Sequence, residues 1–152
     1  MNLIREILSN YCFICAFTGW FSAQIIKTII DLIRYRKFSF ERLMSSGGMP
    51  SSHSATTTAL AVSAGRLCGF ASPTFALAGI FAFVVMYDAA GVRRAAGEQA
   101  KILNKLVRDI EDGKTEYMAK DLKELLGHTP LEVFAGALLG LLIGCVFQPG
   151  WF

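Results

Sequence analysis

Two histidines and one glutamate are the residues of this sequence best suited to nucleophilic and acid–base chemistry. His53 lies in a segment rich in glycine and serine, and His128 precedes Glu132 by four residues. Residues four apart face the same way on a helix, so the carboxylate lies beside the ring. One histidine can attack phosphorus while the other protonates the leaving oxygen. A carboxylate one turn away can hold the attacking ring in the required tautomer.

Fixed positive charges that suit a phosphate group accompany these histidines. Lys27 and Arg34 are seven residues apart, which is about two helical turns, and therefore lie on one helix face. Arg93 and Arg94 follow a long apolar run. The two glycines at 47–48 allow close backbone approach, and helix N-termini present free N–H groups to an anion. Together these features predict a phosphate-binding site.

Four helices must position these residues. The periodicity of the apolar residues predicts helices at about 7–35, 54–70, 73–108 and 130–147. A glycine- and serine-rich loop is predicted at about 38–53. In an up-down bundle, the ends of the first and third helices and the starts of the second and fourth share one side, which collects both histidines and the cations. The spacing of Gly136, Gly140 and Gly144 predicts a close packing face within a membrane.

The composition predicts an all-α integral membrane protein, a helical bundle with a four-helix core. The chain has 152 residues, of which 53% are hydrophobic, and its mean hydropathy is +0.45. Its high hydrophobicity and low charged share exclude a disordered chain. A net charge of +3, without a basic face interleaved with aromatic residues, argues against a nucleic-acid partner. The length suits a single domain over 1–152.

The first two polar clusters resemble motifs of the type 2 phosphatidic acid phosphatase superfamily, which also contains vanadium-dependent haloperoxidases. The superfamily signature has three parts: K-x6-R-P, P-S-G-H and S-R-x5-H-x3-D. Lys27 and Arg34 match the first part, although Tyr35 replaces its proline. The segment PSSH at 50–53 matches the second part, with Ser52 in place of glycine.

The third motif is present in a modified form. His128 and Glu132 match H-x3-D with glutamate for aspartate, and the motif arginine falls at Leu122. Arg93 or Arg94, in the segment YDAAGVRRAAGEQAK, would supply that missing cation. This segment resembles the divergent branch of the superfamily, the acid phosphatase/vanadium-dependent haloperoxidase-related membrane proteins. The resemblance covers roughly residues 20–147.

The resemblance implies a role for each matching residue. His128 would be the nucleophile, His53 the general acid, and Glu132 the residue that orients His128. The phosphate oxygens would be held by Lys27, Arg34, Ser52 and one of Arg93 and Arg94. The implied function is a membrane phosphatase that uses no metal or other cofactor. It would hydrolyse a phosphomonoester or diphosphate, with a membrane lipid as the expected substrate, through a phosphohistidine intermediate.

Other interpretations of the same residues stay open. The altered motifs could have lost hydrolysis, which would leave an inactive membrane protein that binds phosphate-bearing lipids or partners. Glu132 could merely favour the first turn of its helix, Arg93 and Arg94 could be positive-inside anchors, and Lys27 and Arg34 could snorkel to the interface. A transporter or channel is the weakest alternative, because four spans leave little room for a pore unless the chain forms a homo-oligomer.

The distribution of cations predicts the membrane orientation. Of 15 Lys and Arg residues, only Arg5 and Arg66 lie away from the motif side of the predicted bundle. Loops rich in Lys and Arg stay in the cytoplasm, so the rule places the site on the cytoplasmic face of a bacterial plasma membrane or an organelle membrane. The resemblance points the other way, because many bacterial members of the wider family act on the extracytoplasmic face.

Overall fold

Helices make up most of the structure, a computed structural model that describes residues 3–36, 48–111 and 127–150. In chain order they are α1 (Leu3–Leu8), α2 (Tyr11–Tyr35), α3 (Ser52–Cys68), α4 (Pro73–Ala90), α5 (Val92–Glu111) and α6 (Pro130–Val146). The described residues contain no strand. Helices α2, α3, α4 and α6 form a bundle in which α3 contacts each of the other three. The predicted all-α fold class, with a four-helix core, is confirmed.

Small side chains place α3 at the centre of this bundle. Ala55 and Ala59 are fully buried, and the glycines of α6 lie directly against the α3 backbone. A Cβ atom added at Gly136 would collide with the Ser51 carbonyl oxygen, and one added at Gly144 would lie 2.7 Å from Cβ of Val62. The predicted glycine stripe is therefore the face through which α6 packs on α3, as small residues allow in membrane helices.

The outer surface of the bundle is apolar. Large side chains such as Phe17 on α2 and Leu77 and Phe83 on α4 are exposed. Two helical segments, Tyr11–Arg34 and Pro73–Arg108, are long and apolar enough to cross a membrane, and α6 is a shorter apolar helix. The 18 residues of α4 extend about 27 Å, close to the roughly 30 Å hydrocarbon core of a bilayer. The fold is thus that of a membrane bundle with lipid-facing sides.

The predicted third helix, at about 73–108, is divided in two at Gly91 in the structure. Gly91 has φ −107° and ψ −80°, and its N–H donates to the Tyr87 carbonyl oxygen to end α4. Glycine disfavours the helix interior because it loses more backbone entropy than other residues. The break also coincides with a change of pattern, because α4 is apolar on most sides whereas α5 has one apolar and one charged face.

Two other helix starts differ from the predicted ones because of capping side chains. The first predicted helix begins as the short α1, and α2 starts at Tyr11 because the Asn10 side chain accepts a hydrogen bond from the Phe13 N–H. Helix α3 starts at Ser52, two residues earlier than predicted, with Ser51 as its N-cap. His53 therefore lies in the first turn of a helix. Most of the predicted loop, its residues 38–47, lies outside the described residues.

The end of the bundle opposite the histidines is fastened by Arg66. Its guanidinium Nη1 donates to the carbonyl oxygens of Gly144 and Phe147, at 2.7 and 2.5 Å, and also to that of Cys145. The Tyr11 hydroxyl donates to the same Phe147 oxygen at 2.9 Å. These bonds satisfy carbonyl groups that the C-terminus of α6 leaves without helical partners.

Candidate active site

The His128 ring is buried and fixed by the start of α6. Its side chain is 2% exposed, and Nδ1 lies 3.1 Å from Oε2 of Glu132. An ionised carboxylate only accepts hydrogen bonds, so the proton of the neutral ring is assigned to Nδ1. This tautomer leaves Nε2 with the lone pair that a nucleophile needs. The backbone N–H of His128 donates to the Ala89 carbonyl oxygen at 3.0 Å, which ties the ring to the end of α4.

The same oxygen of Glu132 also caps the start of α6. The Thr129 N–H donates to Oε2 at 3.0 Å, and the Glu132 N–H donates to the Thr129 hydroxyl at 3.3 Å. This reciprocal arrangement is a capping box, which satisfies two N–H groups at the helix start. The T-x-x-E spacing in the sequence is the signal from which it could have been predicted. The Glu132 carboxylate therefore both caps the start of α6 and orients the His128 ring.

The second histidine faces the first across the junction of two helices. The ring centroids of His53 and His128 are 5.9 Å apart, with the planes inclined by 65°. A hydrogen bond of 3.0 Å from the Ser51 N–H to the Glu132 carbonyl oxygen joins the starts of α3 and α6. Two helix N-termini, each with the positive end of its dipole, therefore meet beside the rings, as anion sites require.

Lys27 adds a positive charge to this end of the bundle. Its side chain is 2% exposed, and Nζ has no hydrogen-bond partner among the described residues. The carboxylates of Asp31 and Glu132 are near enough to interact with it electrostatically. The stem of Lys27 runs beside Gly48, whose added Cβ atom would lie 3.4 Å from Cγ and Cδ. A buried ammonium group without a hydrogen-bond partner is costly, so the position favours an anionic ligand.

The other residues predicted to bind phosphate differ in burial and in position. Ser52 is buried in the first turn of α3, next to His53 in the chain. Arg34 is exposed two turns after Lys27, and Arg94 is exposed on α5. The side chain of Arg93 and the whole of Leu122 lie outside the described part of the structure. The described residues thus bring together His53, His128, Glu132, Lys27 and Ser52.

Asp31 is a neighbour of the site that the motifs do not include. It lies one turn after Lys27 on α2, and its carboxylate interacts with the Lys27 ammonium. The i, i+4 spacing of the two residues is the signal that could have predicted this pair. Among the described residues, no group of three or more His, Cys, Asp or Glu side chains is placed to hold a metal ion.

Comparison with known proteins assigns the class to which this fold and site belong. Residues 8–143 match the family described as the Divergent PAP2 family. The chain belongs to that family, and the resemblance seen in the motifs is confirmed. It is also similar to the uncharacterized membrane protein YuiD of Bacillus subtilis (strain 168), with 43% identity over 151 residues, covering 93% of this chain and 96% of the relative. No solved structure gives a significant match.

Proposed function

We propose that this protein is a metal-independent membrane phosphatase that hydrolyses a phosphomonoester or diphosphate of a lipid. The observation that carries the proposal is the buried His128 ring, held by Glu132 through Nδ1 and facing His53 at 5.9 Å. Membership of the Divergent PAP2 family supports phosphate chemistry. The membrane setting of the bundle supports a lipid substrate.

In the first step, the lone pair on Nε2 of His128 attacks phosphorus. The bond between phosphorus and the leaving oxygen breaks, and His53 donates its proton to that oxygen. The product is a positively charged phosphohistidine. The Glu132 carboxylate stabilises this charge because it accepts the Nδ1 proton in a hydrogen bond.

In the second step, water attacks phosphorus and gives a proton to His53, which the first step left neutral. The bond between phosphorus and Nε2 breaks, and its electron pair returns to the His128 ring. Inorganic phosphate leaves, and both histidines are restored to their starting states. His53 therefore acts as an acid in one step and as a base in the next.

Fixed positive groups stabilise the charge on the equatorial oxygens of the transition state. Lys27 and Ser52 do this from within the bundle, together with the N-termini of α3 and α6. Arg34 and one of Arg93 and Arg94 complete the set on substrate binding. Their long side chains reach the phosphate from the exposed rim of the site.

We also propose that residues 1–152 form one membrane-embedded domain whose site lies on the cytoplasmic face of a bacterial plasma membrane. The support is the distribution of cations along the sequence, since 13 of the 15 Lys and Arg residues fall in segments that the predicted topology assigns to the motif side. A single cysteine at Ser39, with the four native cysteines replaced, tests the orientation. Reaction of this cysteine with a membrane-impermeant reagent in intact cells contradicts the cytoplasmic assignment.

The second candidate function is binding of phosphate-bearing lipids without turnover. The observations that favour it are Leu122 at the position of the motif arginine and the exposed side chain of Arg94. In this case the site retains an anion but lacks one of the charges that stabilise the transition state.

A phosphate-release assay on the purified protein distinguishes the two functions. A panel of lipid phosphates and diphosphates is offered to the wild type, to His128→Ala and to Cys68→Ser, an exposed control position. The phosphatase proposal predicts release by the wild type and by Cys68→Ser, and none by His128→Ala. Saturable lipid binding without release by any form would contradict the enzyme and support the binder.

A further inference from the structure

Helix α5 has two opposite exposed faces. One face is apolar and carries Val92, Ile102, Leu103 and Leu106, which are 60, 62, 48 and 52% exposed. The other face carries the cations Arg94, Lys101, Lys105 and Arg108. The buried residues Gly97 and Asn104 occupy a flank between the two. At about 100° per residue, Leu103 and Lys101 point in nearly opposite directions.

The described bundle leaves the apolar face of α5 uncovered. Within the described residues, α5 contacts α4 and no other helix. It follows directly on α4, whose apolar surface marks it as a membrane span. Helix α5 therefore starts where the chain leaves the hydrocarbon core, and its apolar face begins at the level of the lipid headgroups.

The charges of α5 complement an anionic surface. The helix carries five Lys and Arg residues against three Asp and Glu residues. Within the helix, Lys101 forms an ion pair with Glu98 at 3.5 Å. A helix with Lys and Arg on one face and large aliphatic side chains on the other is suited to lie in the plane of a membrane interface.

We propose that α5 lies in the interface of an anionic lipid bilayer. Its apolar face enters the boundary between headgroups and acyl chains, and its cations bind lipid phosphates. The long stems of Lys and Arg reach those phosphates from the opposite face of the helix. Apart from Arg94, the residues of this surface do not belong to the histidine site, and their binding to lipid does not depend on catalysis.

The depth of the candidate active site follows from the position of α5. The hydrogen bond of 3.0 Å from the His128 N–H to the Ala89 carbonyl oxygen ties the site to the last turn of α4. Ala89 is two residues before Gly91, where α5 diverges. A helix that lies in the interface therefore fixes the two histidines at headgroup depth.

Spin labels on the two faces of α5 test the proposal in the full chain. With the four native cysteines replaced, Leu103→Cys and Lys101→Cys are each labelled with a nitroxide and placed in phosphatidylglycerol nanodiscs. Power saturation then compares access of molecular oxygen, which concentrates in lipid, with access of a water-soluble nickel complex. We expect oxygen to dominate at position 103 and nickel to dominate at position 101. A label at 103 that nickel reaches more readily than oxygen, or that neither reaches because protein covers it, overturns the proposal.

A second experiment tests whether the cations of α5 contribute to membrane binding. Each cation near an anionic surface contributes about fivefold to an equilibrium, so Lys105→Gln with Arg108→Gln should lower the ratio of docked to undocked helix about 25-fold. The label at 103 should then become shallower, as it should in phosphatidylcholine nanodiscs. Arg5→Gln, in α1, is the control and should change nothing. Equal depth of the label in both lipids and in the double variant overturns the anionic part of the proposal.

Discussion

Glu132 offers the sharpest test of the site because its two roles can be separated by substitution. Its Oε2 atom accepts from the Thr129 N–H at 3.0 Å and faces His128 Nδ1 at 3.1 Å. In Glu132→Gln, the amide oxygen can still cap the helix, since glutamine serves in a capping box. The negative charge is lost, however. If the amide NH2 group took the Oε2 position instead, the cap would be lost and the ring would need the other tautomer, with the proton on Nε2.

The expected losses in Glu132→Gln therefore differ between stability and rate. The free energy of unfolding should fall by no more than about 1 kcal/mol, the contribution of a carboxylate to the helix dipole. By comparison with the loss of an orienting aspartate elsewhere, kcat should fall about 10²–10⁴-fold, which corresponds to about 2.7–5.5 kcal/mol of barrier.

Thr129→Ala is the matched control for this substitution. It removes the hydroxyl that accepts from the Glu132 N–H and should cost about 1 kcal/mol of stability. The contact between Glu132 and His128 remains, so kcat should stay near that of the wild type. Unfolding in detergent and phosphate release are measured on both variants. Equal kcat for Glu132→Gln and the wild type would refute the orienting role and reduce Glu132 to a cap.

Three further predictions concern packing, the far end of the bundle and anion binding. Gly140→Ala should lower the unfolding free energy by about 1–3 kcal/mol, because its Cβ would lie 2.9 Å from Thr58 Cβ, whereas Gly79→Ala, with open space around it, should not destabilise. Arg66→Gln loses charge-assisted hydrogen bonds to the last carbonyl groups of α6. The unfolding temperature should fall by an amount that corresponds to about 1.5–3 kcal/mol. An unchanged temperature would show that these hydrogen bonds do not stabilise the bundle. Vanadate at about 100 times its dissociation constant should stabilise the wild type against thermal unfolding by about 2.7 kcal/mol. It should not stabilise Lys27→Met. Equal stabilisation of both proteins would exclude Lys27 from the anion site.

The helices and the meeting of the two histidines could be predicted because they follow from apolar runs and their alternating direction. The capping residues Ser51 and Thr129 start α3 and α6 at the same end, which the chain order of the runs already requires. The glycine stripe of α6 could also be predicted, because small residues at every fourth position let two helices pack closely.

Other features of the site depend on contacts that no local pattern contains. The bond from the Ser51 N–H to the Glu132 carbonyl oxygen joins residues far apart in sequence. The K-x6-R spacing does not distinguish Lys27 from Arg34, yet only Lys27 is buried, and the backbone at Gly48 packs against its side chain. The break at Gly91 was also missed, because a single glycine within a helical pattern is often tolerated.

Trapping of the phosphoenzyme tests the central claim most directly. The purified protein is mixed with a lipid phosphate labelled in its phosphoryl group, quenched in alkali, and digested for mass spectrometry. We predict a label that is stable in alkali, labile in acid and attached to His128, and that is lost in His128→Ala together with phosphate release. Phosphate release that persists in His128→Ala, or a label on any other residue, would contradict the account.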